Sequence, residues 1–99
     1  MAAKGRDYKL SPLAEEDIED IWGYTVETWS WEQAERYHDE LISTLEGLAA
    51  GRKLGRPVDI RQGYFKYSVG AHCVFYRFSE SAIDIIRILH QKMDVSRHL

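Results

Sequence analysis

The sequence has one cysteine and two prolines in 99 residues. A lone cysteine excludes an internal disulfide framework, and with it the small secreted scaffolds that depend on one. So little proline, with seven glycines, excludes collagenous and proline-rich low-complexity chains. Long apolar runs are missing too. The longest is four residues, Cys73-Val74-Phe75-Tyr76, far short of a membrane span. The opening MAAKGRDYKL carries basic residues but no apolar stretch of the signal-peptide kind. The expectation is therefore a cytoplasmic protein with no membrane contact, folded as a single domain over residues 1–99. There is no dinucleotide fingerprint, no phosphate-binding loop and no zinc-spaced cysteine pair. The histidines His38, His72, His90 and His98 lack metal-ligand spacing, so neither cofactor nor metal is expected.

What is present is an ordinary foldable mixture, 44% hydrophobic and 29% charged. The charge is divided along the chain. Residues 1–50 carry 12 acidic and 4 basic side chains, and residues 51–99 carry 4 acidic and 9 basic. A basic second half attracts an acidic protein segment or a nucleic acid, unless its cations are simply solvated. Direct binding to a phosphate backbone is disfavoured by the acidic first half.

Asp7–Leu10 reads as a short strand. Ser11 and Pro12 then suit the cap and first position of a helix, and Glu15, Glu16 and Asp17 suit its positive end. Ala14, Ile18, Ile21, Trp22, Thr25 and Trp29 recur at steps of three and four, giving a helix over about 12–28 with one buried stripe. Ser30 with Gln33 fits a capping box, and Ala34, Tyr37, Leu41, Leu45 and Leu48 continue a second helix over about 31–49. So short a link folds the two into an antiparallel hairpin. Residues 50–63 read as a basic loop after a stop at Gly51. The period then changes to extended: Tyr64–Val69, Ala71–Phe78 and Ile83–Leu89 form an antiparallel meander. The expected class is α+β, with a helix hairpin packed on a small, mainly antiparallel sheet in two layers.

Several residues invite a chemical role. Cys73 adjoins His72, but neighbours on a strand point to opposite faces, so a buried structural cysteine is expected. In Ile83–Leu89, strict alternation puts Ile83, Ile85, Arg87 and Leu89 on one face and Asp84, Ile86, Ile88 and His90 on the other. An arginine in an apolar row requires a partner or an opening. Arg87 is either in an ion pair with a helix-borne carboxylate or, with Arg61 and Arg77, part of an anion-binding face. His90 and Tyr64 are the candidates for proton transfer, with no evident partner. The polar tail after His90 has apolar anchors at Met93, Val95 and Leu99, fit to cover a sheet edge, to engage a partner, or to fray.

A family resemblance spans Tyr8 to Leu99. Its parts are Leu10-Ser11-Pro12-Leu13-Ala14-Glu15-Glu16-Asp17-Ile18, Ile21-Trp22-Gly23-Tyr24, Gln33-Ala34-Glu35-Arg36-Tyr37, Gly55-Arg56 and Ile60-Arg61-Gln62-Gly63-Tyr64. His72-Cys73-Val74-Phe75-Tyr76-Arg77 follows, and the most specific part is Ile86-Arg87-Ile88-Leu89-His90-Gln91-Lys92-Met93-Asp94. In order and spacing these resemble the toxins of ParE–ParD type II toxin–antitoxin modules, within the RelE/ParE superfamily. Trp31 departs from the glycine usual after the tryptophan of the first helix.

The resemblance implies a RelE/ParE-like fold and a plasmid-stabilisation type of toxin that poisons DNA gyrase without being an enzyme. It implies neutralisation by a cognate ParD-like antitoxin, in a two-toxin, two-antitoxin or larger assembly, with DNA met only through antitoxin or gyrase. The expected target or antitoxin contacts are Arg61, Arg77, Arg87, His90 and Met93. Nuclease relatives imply the alternative, a ribosome-dependent messenger RNA endoribonuclease in which Arg61, Arg77 and Arg87 bind phosphate and His90 moves the proton. A detoxified, antitoxin-binding module is the third expectation.

Overall fold

A computed structural model describes residues 7–99; residues 1–6, which belong to the expected 1–99 domain, lie outside the described part. The elements are β1 (Asp7–Leu10), α1 (Pro12–Thr28), α2 (Trp31–Ala50), β2 (Arg56–Pro57), β3 (Tyr64–Val69), β4 (His72–Phe78) and β5 (Ala82–His90). A 3₁₀ turn over Val95–Arg97 closes the tail. The sheet order is β1-β5-β4-β3-β2, antiparallel throughout except that β1 runs parallel to β5. Both helices lie on one face, as the α+β expectation required. The first strand thus joins the sheet beside the last, with Asp7 opposite Ala82.

The helix boundaries follow from their caps. Ser11 Oγ accepts from the Ala14 N–H at 3.0 Å, and Ser30 Oγ accepts from the Gln33 N–H at 3.0 Å. The cap therefore survives Trp31, whose ring meets Trp22 edge-on with centroids 5.2 Å apart. The two-helix stripe buries Ala14, Ile21, Leu41, Leu45 and Leu48 against Val74, Tyr76, Ile83, Ile85 and Ile88 of the sheet. Trp29 is a correction: α1 ends at Thr28, so Trp29 leaves the helical phase and stands 72% exposed.

Three further departures have physical causes. The loop 50–63 contains β2, a two-residue edge strand on β3 whose Pro57 is tolerated where no further strand pairs. Gly55 lets this loop approach: a Cβ there would lie 2.6 Å from the Tyr76 hydroxyl, which accepts the Gly55 N–H at 2.8 Å. Cys73 is half-buried rather than buried, its Sγ 3.7 Å from Ser68 Oγ. The third departure is in β5. Tyr76 pairs with Ile85 but Phe75 with Arg87, so Ile86 is an extra residue, a β-bulge. Alternation restarts after it. Ile83, Ile85 and Ile88 face the helices, where strict alternation expected Ile83, Ile85 and Arg87.

The bulge lies where β1 has ended and α1 begins, so β5 has an open edge there. The start of α1 closes it. The Ser11 N–H donates to the Ile85 carbonyl at 3.0 Å and Ser11 Oγ donates to the Ile86 carbonyl at 2.7 Å. One turn and a half further on, Asp17 accepts from the Ile88 N–H at 2.9 Å and from Arg87 Nε and Nη2 at 2.8 Å each. Both partners are nearly buried, at 15% and 11% side-chain exposure. The Asp17 hydrogen bonds hold the Arg87 guanidinium above its ordinary pKa despite partial burial.

On the helix-free face, Phe75 and Leu89 are also buried, outside the helix-side cluster. The tail leaves β5 at the His72–His90 end of the sheet and reaches the Tyr64 end, where the Leu99 carbonyl accepts from Arg61 Nη1 at 2.7 Å. The tail thus spans the domain from the His90 end of β5 to Arg61 near the Tyr64 end.

Removing one partner of the Asp17–Arg87 pair strands a nearly buried charge. Asp17→Ala is expected to lose roughly 3–5 kcal/mol of unfolding free energy, read from the urea midpoint. Asp17→Leu combined with Arg87→Met is expected to recover part of that loss but not all, because the Ile88 N–H remains unpaired.

Candidate functional site

The five residues expected to make functional contacts do not meet in one place. Arg87 is held by Asp17 inside the α1–β5 junction. Arg61 and Arg77 stand at the far end of the helix-free face, where both meet Tyr64. Arg77 is its cross-strand partner, and the Arg61 guanidinium lies 5.0 Å from its ring centroid. Arg77 also pairs with Asp84 at 3.3 Å, an exposed contact of small energetic weight. Across the same sheet edge Arg56 stands opposite Lys66, so this end is cationic.

His90 and Met93 lie elsewhere, on a groove of about 670 Å³ between the helix hairpin and the free end of β5. Its floor is Ile21, Thr25 and Ile88. One wall is Asp20, Tyr24 and Trp29 from α1 and its end, joined by Gln33 and Tyr37 of α2. The opposite wall is Ala71, His72, His90 and Met93. Such a cleft, mostly apolar with a few convergent polar groups, has the size of an ordinary binding site.

Tyr37 builds the back of this groove. Its hydroxyl accepts the Ala71 N–H at 3.1 Å and lies 3.0 Å from the Val69 carbonyl and 2.7 Å from His72 Nδ1. The ring packs so closely on the β3–β4 turn that a Cβ at Gly70 would fall 2.5 Å from it, and Gly70 itself has φ +56°. Burial raises the Tyr37 pKa, an effect opposed by the Ala71 N–H, so the phenol stays protonated. His72 pairs across the ladder with His90, their rings edge-on at 5.3 Å. His90 Nδ1 accepts the Lys92 N–H at 3.1 Å. Burial first, and His90 second, lower the His72 pKa, so this imidazole is neutral at pH 7.

The electrostatics around the groove are one-sided. α1 and α2 together carry eleven acidic residues and one arginine, Arg36. Of those acids, among the described residues, only Asp17 is in an ion pair. Among the same residues no group of three or more His, Cys, Asp or Glu side chains could hold a metal ion, and no helix is long and apolar enough to cross a membrane.

The comparisons with known proteins agree on a family. The family model described as "ParE toxin of type II toxin-antitoxin system, parDE" matches residues 8–95. The chain belongs to the ParE toxin family. It is 47% identical over 94 residues to Toxin ParE1 of Mycobacterium tuberculosis, covering 93% of this chain and 96% of that protein. It is 41% identical over 95 residues to Toxin ParE1 of Caulobacter vibrioides, covering 95% and 98%. In fold it resembles the structure titled as the chromosomal ParDE toxin–antitoxin system of P. aeruginosa, with a TM-score of 0.77, 20% identity and coverage of 89% and 98%. The RelBE2 toxin–antitoxin complex of M. tuberculosis gives a TM-score of 0.67 at 16% identity, covering 93% and 98%. The ParE-type toxin expected from the sequence motifs is thus shown, with its two-helix hairpin on a five-stranded sheet.

Sequence reasoning missed Asp17, Tyr24, Tyr37 and His72 as parts of this ParE-family surface. Asp17 was legible in principle, as a carboxylate between Ala14 and Ile21 on the buried stripe, facing the one arginine in an apolar strand. The His72–His90 pair was not. Counted from the Phe78–Ile83 end, an unbroken ladder sets His72 opposite Leu89, and only the bulge brings His90 there.

A histidine whose folded pKa lies below its unfolded value of roughly 6.5 binds fewer protons folded than unfolded, so it destabilises the fold as pH drops below that value. Thermal midpoints are therefore expected to fall between pH 7.5 and 5.5, and the fall is expected to be smaller in His72→Asn.

Proposed function

We propose that this ParE-family toxin poisons DNA gyrase in the cytoplasm by contact, not by catalysis, and that a cognate ParD-like antitoxin neutralises it. The observation that carries the non-enzymatic reading is the state of Arg87. A phosphate-clamping arginine presents an accessible fork and an uncompensated charge, whereas the Nε–Nη2 fork of Arg87 is given to the Asp17 carboxylate and its side chain is only 15% exposed. The other members of a nuclease constellation are separated as well. His90 opens onto the groove, whereas Arg61 and Arg77 flank Tyr64 on the helix-free face. Proton transfer needs acid, base and phosphate clamp within hydrogen-bond reach of one reacting group.

The cationic end of the helix-free face, with Arg61, Arg77, Arg56 and Lys66, supports docking of carboxylates from the antitoxin there. Long-range attraction between this end and an acidic segment favours encounter as well as affinity. Met93 and His90 supply contacts on the other side, so an antitoxin tail that reaches both must wrap around the domain. An assembly of two toxins with two antitoxins, meeting DNA only through antitoxin or gyrase, fits this reading.

Purified gyrase is expected to lose supercoiling activity and to accumulate protein-linked DNA breaks when this toxin is added, and the antitoxin is expected to reverse both. Normal supercoiling at saturating folded toxin, with cleavage of ribosome-bound messenger RNA, would replace this reading by the endoribonuclease one. Arg61→Glu and Arg77→Glu are each expected to weaken antitoxin binding roughly tenfold, about 1.4 kcal/mol, in a titration at moderate salt. Two silent reversals would remove the carboxylate contact.

A further inference from the structure

The groove has a chemistry opposite to that of the helix-free face. Its α1 wall places Asp20 and Tyr24 one helical turn apart, so the carboxylate and the ring are neighbours on the surface. Trp29 stands on the same wall, and it and Tyr24 are among the most exposed large apolar side chains of the domain, at 72% and 65%. Large aromatic surfaces left open beside a cleft mark an interaction site more often than a solvated face.

Charge selects the occupant. An acidic segment entering the groove would meet Asp20, which has no ion-pair partner among the described residues, on the wall of a helix pair that is acidic overall. No cation in the lining offsets it. Arg87 is already bound to Asp17, and burial keeps His72 neutral near pH 7. A cationic side chain meets the reverse situation. An ammonium or guanidinium is attracted to the faces of tyrosine and tryptophan and to a nearby carboxylate, while its aliphatic stem covers apolar floor.

We propose that this groove receives a cationic, apolar-anchored segment of the antitoxin, with an arginine or lysine side chain lying against Tyr24 and Trp29 and Asp20 as its counter-ion. The proposal rests on the antitoxin reading above and adds polarity to it. The segment that fills the groove is basic and apolar, and the segment that crosses to Arg61 and Arg77 is acidic. The partner is charge-segregated in the same way as the toxin, whose two halves carry balances of -8 and +5.

The test titrates the full-length antitoxin into the toxin and its variants, with circular dichroism verifying that each variant is folded. Asp20→Lys is expected to weaken binding at least tenfold, and Tyr24→Ala with Trp29→Ala to do the same. Asp20→Glu is expected to stay near wild type, as is Asp39→Lys, an exposed acid on α2 outside the groove. Wild-type affinity in folded Asp20→Lys and in the aromatic double variant would overturn the proposal. A second arm uses two labelled amphipathic peptides, one of leucine and arginine and its leucine–glutamate counterpart. Binding of the arginine peptide alone, lost in Asp20→Lys, supports the cationic preference; equal binding of both peptides overturns it. An antitoxin that fails to bind wild-type toxin, while the arginine peptide binds, would refute the antitoxin as occupant and the neutralisation reading with it, yet leave the groove's chemistry standing.

Discussion

Asp17 holds the structure together at the point where a regular sheet would fail. β1 is only four residues long, and beyond Leu10 the interior strand β5 would have an unpaired backbone edge beside the helix layer. Buried backbone donors and acceptors require partners. Ser11 at the cap of α1 and Asp17 within it provide them, so the start of a helix does the work of a missing strand. The arginine that makes this carboxylate tolerable in a near-buried site comes from the same stretch of β5. Removal of either charge leaves the other uncompensated, which couples the placement of α1 to the conformation of β5.

That coupling has a functional side. Arg87 is a cation in an otherwise apolar strand, yet the Nε–Nη2 edge of its guanidinium is turned inward to Asp17. A toxin built this way retains the scaffold while its most suitable cation serves architecture. The fold separates two surfaces of different chemistry, a groove between the helix hairpin and β5 with Asp20, Tyr24 and Trp29 on its wall, and a cationic patch around Tyr64 on the reverse face. A protein with opposite charge on opposite faces suits a partner that wraps rather than one that abuts.

The elements themselves were legible in the sequence because their signals are local. Caps at Ser11 and Ser30, helical spacing from Ala14 to Leu48 and the extended period after Tyr64 each depend on a few neighbouring residues. Arg87 was legible as an anomaly, and one of its two readings, a pair with a helix carboxylate, is the one found. The groove was not legible. It depends on a single-residue bulge at Ile86, on a parallel pairing between β1 and β5 more than 70 residues away in sequence, and on Trp29 leaving its helix. None of these has a composition signature, and each moves a side chain from one face to another. Arg61 and Arg77, expected as contact residues, are both exposed, and their meeting at Tyr64 depends on strand register.

The place of β5 between β1 and β4 has a consequence for how the chain is made. Synthesis delivers β1 and both helices first, yet α1 and β1 pack on β5, which is the last strand to emerge. Until it leaves the ribosome, the apolar stripe of α1 lacks the sheet surface it covers and β1 has no strand partner. Folding therefore waits until β5 has been made and then proceeds through contacts between distant segments, which slow it. During that interval the nascent polypeptide presents an unfolded, exposed helix pair rather than a finished toxin. Premature termination anywhere before β5 would yield a fragment without the native fold.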